Sequence, residues 1–157
     1  MDDALPPRAY LVVIDGSAEA RVALRFAARR AYKTGGTLEM LAVVEPAEFV
    51  QWAGVQDAID EEARLGAEAL LHQASSDIVE ELGLQPRLTV VEGDPAKAIR
   101  AALAERPATA ALVLGAQPGS GGPGPLVDYF TADAGQMPCP LMVVPGGLDD
   151  AALDRLS

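Results

Sequence analysis

The chain has 157 residues, half of them apolar, which favours one domain with a core of its own and excludes a disordered chain. Its formal net charge of -11 argues against nucleic acid and against an anionic membrane surface as partners. The single cysteine, Cys139, excludes an internal disulfide and is typical of a reducing cytosol. Residues 1–8 have no signal-peptide core, and no apolar run is long enough to span a membrane. We therefore expect a cytoplasmic protein with a single domain over residues 1–157, including tails at 1–8 and 146–157.

Five short, mostly apolar runs predict β-strands. Their apolar residues follow one another with little alternation, which is typical of strands buried on both faces of a parallel sheet. The predicted strands cover residues 9–14, 37–44, 86–91, 110–114 and 141–144.

Helical signals lie between these runs. Ser17 is a good N-cap for a first helix, which the glycine pair at 35–36 ends. Apolar side chains at helical spacing predict a long helix over residues 55–82. The Asp-Pro pair at 94–95 begins a third helix, with the aspartate as N-cap and the proline at the first helical position. Two shorter elements complete the chain, a helix over 126–135 and one or two helical turns near 151–156.

The alternation of strands and helices predicts a doubly wound, five-stranded parallel sheet with helices on both faces, a Rossmann-like α/β fold. Right-handed crossovers restrict the topology, and the strand order 3-2-1-4-5 places the switch point between the first and fourth strands. Ligands of such sheets bind outside the carboxyl ends of the strands at this point. We therefore expect Asp15 and Gly115 to lie on the two sides of one crevice.

Four short segments resemble the universal stress protein family, and they occur in the family's order on the expected types of element. They are Val-Val-Ile-Asp-Gly-Ser at 12–17, Gly-Asp-Pro-Ala at 93–96, Val-Leu-Gly at 113–115 and Pro-Cys-Pro-Leu-Met-Val-Val at 138–144. The resemblance spans residues 10–145. It implies a fold of the adenine nucleotide alpha hydrolase type, a role in the stress response and a crevice for an adenine nucleotide such as ATP or AMP.

The resemblance also implies which residues contact the nucleotide. Val13 and Val43 would touch the base, and Asp15 would contact the base or the ribose. Ribose and phosphates would meet residues that follow the fourth strand, namely Gly115, Ala116, Gly119, Gly121 and Gly122. Considered without the resemblance, Asp15 could equally accept hydrogen bonds from amides at the start of the first helix, and the glycine-rich loop could be a plain connection.

The family's nucleotide binders carry the motif Gly-x2-Gly-x9-Gly-Ser/Thr at the end of the fourth strand. Counted from Gly115, the later positions of this motif hold Pro118, Asp128 and Tyr129. Proline removes an amide donor, and Asp128 would bring a carboxylate close to the phosphates. A second interpretation is therefore a family member that binds no nucleotide and acts as a dimeric interaction or regulatory protein.

The sequence contains no recognisable catalytic triad or metal-binding cluster. His72 is the only histidine, and no histidine or cysteine is spaced to share a metal with it. Cys139 is interpreted as a small packing residue between two prolines. We expect a protein that is not an enzyme and holds no metal, with weak ATPase activity left open. Phe49 and Trp52 could cover the crevice or pack against the nearest apolar surface.

The fifth predicted strand, Leu141-Met142-Val143-Val144, is an apolar strand at the edge of the sheet, where uncovered backbone groups favour association. The family pairs two such strands antiparallel across a twofold axis. The resemblance therefore implies a homodimer formed through these four residues.

Overall fold

Strands and helices alternate along the chain in the computed structural model, which describes residues 6–46 and 53–157. The strands are β1 (Ala9–Val13), β2 (Thr37–Val44), β3 (Arg87–Glu92), β4 (Thr109–Ala116) and β5 (Leu141–Pro145). The helices are α1 (Ala18–Thr34), α2 (Ala53–Leu82), α3 (Pro95–Ala104), α4 (Pro125–Ala132) and α5 (Asp150–Leu156), and a 3-10 turn covers Ala134–Gln136. Within these ranges, no helix is long and apolar enough to cross a membrane.

The five strands form one sheet in the order β3-β2-β1-β4-β5, and every neighbouring pair is parallel. This arrangement confirms the predicted α/β fold and strand order. In the register, Val12 lies beside Met40 of β2 and beside Val113 of β4. The chain leaves β1 towards β2 on one side and returns to β4 on the other, so the switch point lies between β1 and β4.

Alternate residues of the strands are buried against helices on opposite faces of the sheet. Val12 and Met40 face α1 and α2, with α5 packed against α1, whereas Leu11 and Leu41 face α3 and α4. Phe130 of α4 is fully buried on the second face. Burial on both faces explains why the strands read as continuous apolar runs rather than as alternating ones.

Both predicted N-caps that begin helices beside the crevice are confirmed. The Ser17 hydroxyl accepts a hydrogen bond from the amide of Ala20 at 3.1 Å. The Asp94 carboxylate accepts one from the amide of Lys97 at 3.2 Å. These bonds satisfy amides that have no partner within the helix, and they fix where α1 and α3 begin.

Some boundaries differ from the predicted ones, for reasons that lie in tertiary contacts. β4 continues through Gly115 to Ala116, because these residues pair with Val144 and Pro145 of β5. The C-terminal segment, expected to be a tail with one or two helical turns, contains the complete helix α5. Burial of Leu153 and ion pairs between α1 and α5 hold this helix in place.

Candidate functional site

The carboxyl ends of β1 and β4 bring Asp15 and Gly115 to the two sides of one crevice, as predicted from the strand order. One part of this crevice, which we call the inner compartment, is a cavity of about 70 Å³. The residues that line it come from the ends of the two strands and from the first turns of α1 and α4. They are Val13, Asp15, Ser17, Glu19, Ala20, Leu114, Gly115 and residues 123–127.

A larger cavity of about 630 Å³, the outer compartment, adjoins the inner one and shares Val13, Asp15, Pro125 and Leu126 with it. Its other lining residues come from the ends of β1 and β2 and from the starts of α3 and α4: Ile14, Val43, Glu45, Asp94, Pro95, Ala96 and Tyr129. Volumes of about 300 to 1,000 Å³ are usual for small-molecule sites. The walls are mostly apolar, which suits a flat heterocyclic ring.

The Asp15 carboxylate has a structural role at one oxygen. Its Oδ1 accepts hydrogen bonds from the Ser17 amide at 2.9 Å and from the Ser17 hydroxyl at 2.6 Å. The Ser17 hydroxyl in turn caps α1, so Asp15 orients the cap. The other oxygen, Oδ2, has no hydrogen-bond partner among the described residues, and the side chain is exposed where it lines both compartments. The two interpretations of Asp15 therefore apply to different oxygens of one carboxylate.

The structure brings together four of the eight residues that the resemblance assigns to the site, and it places the other four elsewhere. Val13, Asp15, Val43 and Gly115 line the crevice. Ala116, Gly119, Gly121 and Gly122 do not line either compartment as the described residues form them. The Ala116 carbonyl accepts a hydrogen bond from the Gly146 amide at 2.8 Å, so Ala116 takes part in the pairing of β4 with the end of β5.

The glycine-rich loop, residues 117–122, has a conformation that by itself requires glycine. Gly119 and Gly122 have φ angles of +99° and +91°, in a region that side chains disfavour. The Gln117 amide donates to the Pro123 carbonyl at 3.0 Å and closes the loop on itself. Residues 117–121 are exposed to solvent. In this conformation the loop lies away from the crevice, and its glycines serve the turn.

The amino end of α4 reaches the crevice in place of the loop. Gly124 precedes the helix with a φ of +108°, and Pro125 at the first position has no amide hydrogen. The Asp128 amide donates to the Gly124 carbonyl at 3.0 Å. Helix geometry leaves the amides of Leu126 and Val127 without an intrahelical acceptor, and both residues line the inner compartment. The Gly-Pro pair at 124–125 is the sequence signal for this helix start, and neither Leu126 nor Val127 was among the predicted site residues.

The crevice is acidic. Asp15, Glu45 and Asp94 line the outer compartment, and Glu19 lines the inner one. In the part of the chain that the structure describes, no lysine or arginine lines either compartment. Glu19, Glu45 and Asp94 were not predicted as site residues, because each is separated in sequence from the others and meets them only in the folded sheet.

The cation that contacts Tyr129, a lining residue of the outer compartment, already has partners. Arg100 of α3 donates to the Tyr129 hydroxyl at 2.9 Å and lies 5.6 Å from the centre of that ring. It also forms an ion pair with Asp133. Arg100 therefore orients Tyr129, which lines the crevice. The Asp133 carboxylate neutralises the charge of Arg100.

The remaining candidates of the sequence analysis lie outside the crevice or outside the described residues. Burial raises the pKa of the Cys139 thiol, which keeps it protonated and agrees with a packing role. Over residues 6–46 and 53–157, no group of three or more histidine, cysteine, aspartate or glutamate residues could hold a metal ion. Phe49 and Trp52 lie in the segment that the structure does not describe.

The fold and its crevice define the class as doubly wound α/β proteins with a cleft at the switch point. Within that class, the family model described as the universal stress protein family matches residues 8–145. The chain belongs to the universal stress protein family. No curated protein sequence matches the chain significantly.

Solved structures of low sequence identity share the fold. Universal stress protein UspA from Lactobacillus plantarum has a TM-score of 0.76 at 20% identity, covering 90% of this chain and 99% of its own. The universal stress protein from Archaeoglobus fulgidus in complex with dAMP has a TM-score of 0.62 at 18% identity, covering 89% and 99%. A family protein from Arabidopsis thaliana with AMP bound has a TM-score of 0.60 at 16% identity, covering 88% and 92%.

Proposed function

We propose that this protein binds an adenine nucleotide, of the AMP or ATP type, in the crevice between β1 and β4, and that it acts in a stress response. One observation carries the proposal: apolar walls, an Asp15 oxygen with no hydrogen-bond partner among the described residues and the first turn of a helix line one continuous crevice at the switch point. The AMP and dAMP complexes of proteins with the same fold support it. The stress-response role rests on membership of the family.

Each lining residue has a role in this proposal. Val13 and Val43 pack against the base, and Asp15 accepts a hydrogen bond from ribose or base through Oδ2. The amides of Leu126 and Val127 donate to a phosphate, where the positive end of the α4 dipole adds to the attraction. Contacts from Ala116 and from the loop glycines Gly119, Gly121 and Gly122 require the loop to fold back over the crevice.

Mass spectrometry of nucleotides extracted from the purified protein, followed by thermal shift and calorimetric titration, tests this proposal. Ala96 lines the outer compartment at the start of α3, so Ala96→Phe should fill the crevice and abolish binding. Ala101 is exposed on the same helix, and Ala101→Phe is the matched control. If no nucleotide co-purifies and adenine ligands leave the melting temperature unchanged, the proposal is wrong.

A second candidate function is a dimeric interaction or regulatory protein without nucleotide. The conformation of the glycine-rich loop favours it, because the loop lines neither compartment within the described part of the chain. This candidate predicts an intact dimer that binds no adenine ligand, so its melting temperature stays unchanged when such a ligand is added. The same titrations therefore separate the two functions.

The remaining parts of the proposal concern assembly, location and chemistry. We propose a homodimer through Leu141, Met142, Val143 and Val144, because β5 lies at the edge of the sheet. We propose a cytoplasmic location, in agreement with the single cysteine. We also propose that the protein binds its ligand without transforming it and uses no metal, and release of phosphate from ATP would contradict this.

A further inference from the structure

We propose that Glu19 restricts the crevice to adenine ligands that carry at most one phosphate. This inference rests on the proposed function, because it assigns a class of ligand to the same crevice. Glu19 is the second residue of α1, whose N-cap is Ser17, and it lines the inner compartment together with the first turn of α4. A phosphate held by the α4 amides would therefore lie in the small cavity that Glu19 lines.

The position of Glu19 is fixed by close packing of its backbone. A Cβ atom at Gly115 would collide with the Glu19 carbonyl, and one at Gly146 would lie 2.7 Å from the Glu19 Cβ. The two glycines thus let the first turn of α1 lie tightly against the ends of β4 and β5. The first turn of α1, including Glu19, therefore has a fixed position at the wall of the inner compartment.

The donors at the inner compartment suffice for one phosphate group. Within the first turn of α4, Pro125 has no amide hydrogen and the Asp128 amide already donates to Gly124, which leaves the amides of Leu126 and Val127 as the donors that this helix offers. Two amides can bind two oxygens of a single phosphate. The loop amides that could bind further phosphates lie outside both compartments as the described residues form them.

The charges around the crevice oppose additional phosphates. Asp15 lines both compartments and Glu19 the inner one, while Asp128 is an exposed acid in the first turn of α4. Among the described lining residues there is no lysine or arginine to offset them. Each phosphate beyond the first adds negative charge next to carboxylates, and like charges in a partly desolvated site repel strongly.

Calorimetric titration with adenosine, AMP, ADP and ATP, at constant ionic strength and both with and without Mg²⁺, tests the inference. We expect adenosine and AMP to bind best and ATP to bind about tenfold or more weakly than AMP. Glu19→Gln keeps the shape of the side chain and removes its charge, and it should raise the ATP affinity about fivefold while changing the adenosine affinity less than about twofold. Glu80→Gln removes an equal charge from an exposed site on α2 and should change neither affinity.

The outcomes distinguish this inference from the proposed function. If no adenine ligand binds, the proposed function fails. If ATP, in either metal condition, binds as tightly as AMP, the proposed function stands and the restriction by phosphate number is overturned. If AMP is preferred but Glu19→Gln behaves like Glu80→Gln, the role of Glu19 is overturned.

Discussion

The backbone of Gly115 in β4 lies directly against the carbonyl group of Glu19 in α1, with no room for a side chain between them. A Cβ atom at position 115 would overlap that carbonyl and lie 3.0 Å from the Ala20 amide nitrogen. Gly115 is therefore required by the packing of α1 on the sheet, whether or not a ligand is present. A glycine at the mouth of a crevice can serve the fold and the site together.

Replacement of Gly115 by alanine should lower the free energy of unfolding by about 1 to 3 kcal/mol, because the new methyl group forces α1 away from β4. Gly121 is the matched control, since a Cβ there meets nothing within 4 Å and its φ is not positive. Gly121→Ala should change stability by less than about 0.5 kcal/mol. Urea unfolding curves measure both, and equal stabilities of the two variants would contradict the packing role.

The Glu39 carboxylate at the amino end of β2 should make stability depend on pH in the acid range. Burial opposes its ionisation, but hydrogen bonds from Arg106 and Thr89 and the charges of Arg106 and Arg87 outweigh burial and lower the pKa of Glu39. A lowered pKa in the folded state means that the contribution of Glu39 is present above the unfolded value. It is lost as the pH falls through the folded value.

Glu39→Gln should accordingly destabilise the protein by about 1 to 3 kcal/mol at neutral pH, because the half-buried Arg106 loses its charged partner. The difference from the wild type should shrink as the pH falls below the ordinary glutamate pKa of about 4.3. Glu105→Gln is the control, since the exposed Glu105 lies 3.7 Å from the same arginine. A difference between wild type and Glu39→Gln that stays constant from neutral to acid pH would exclude this role.

The contribution of α5 to stability should come from one side chain that is buried under the helix. Leu153 is 1% exposed and belongs to the core between α1 and the sheet, whereas Leu156 on the same helix is 52% exposed. Leu153→Ala should cost about 2 to 4 kcal/mol, and Leu156→Ala less than about 0.5 kcal/mol. Thermal and urea unfolding provide the comparison. Equal losses would mean that α5 does not pack as described.

The proposed dimer predicts a specific effect of charge at the sheet edge. Val143 is 38% exposed on β5, and a lysine there would place two ammonium groups in a twofold interface. Val143→Lys should therefore give a monomer by analytical ultracentrifugation at a concentration where the wild type is a dimer. Leu65→Lys, at an exposed site on α2, should leave the assembly unchanged. A monomeric wild type would remove the dimer from the proposal.

Much of the fold followed from local patterns in the sequence. Continuous apolar runs marked the five strands because both faces of a parallel sheet are buried. Ser17 and Asp94 marked helix starts because capping is a local hydrogen bond that a short segment makes by itself. The strand order also followed, since right-handed crossovers leave few topologies for alternating strands and helices. The single domain over residues 1–157 stays a prediction.

The tertiary structure decided what surrounds the crevice. Asp15 and Gly115 meet because β1 and β4 are neighbours, but the placement of Glu19, Asp94 and Tyr129 around one crevice depends on how three helices pack. No local periodicity records contacts between residues so far apart in the chain. In the glycine-rich loop, the composition suggested phosphate binding, but the positive φ angles of the turn are enough to require Gly119 and Gly122. Composition specifies which conformations a segment can adopt, and packing determines where that segment lies.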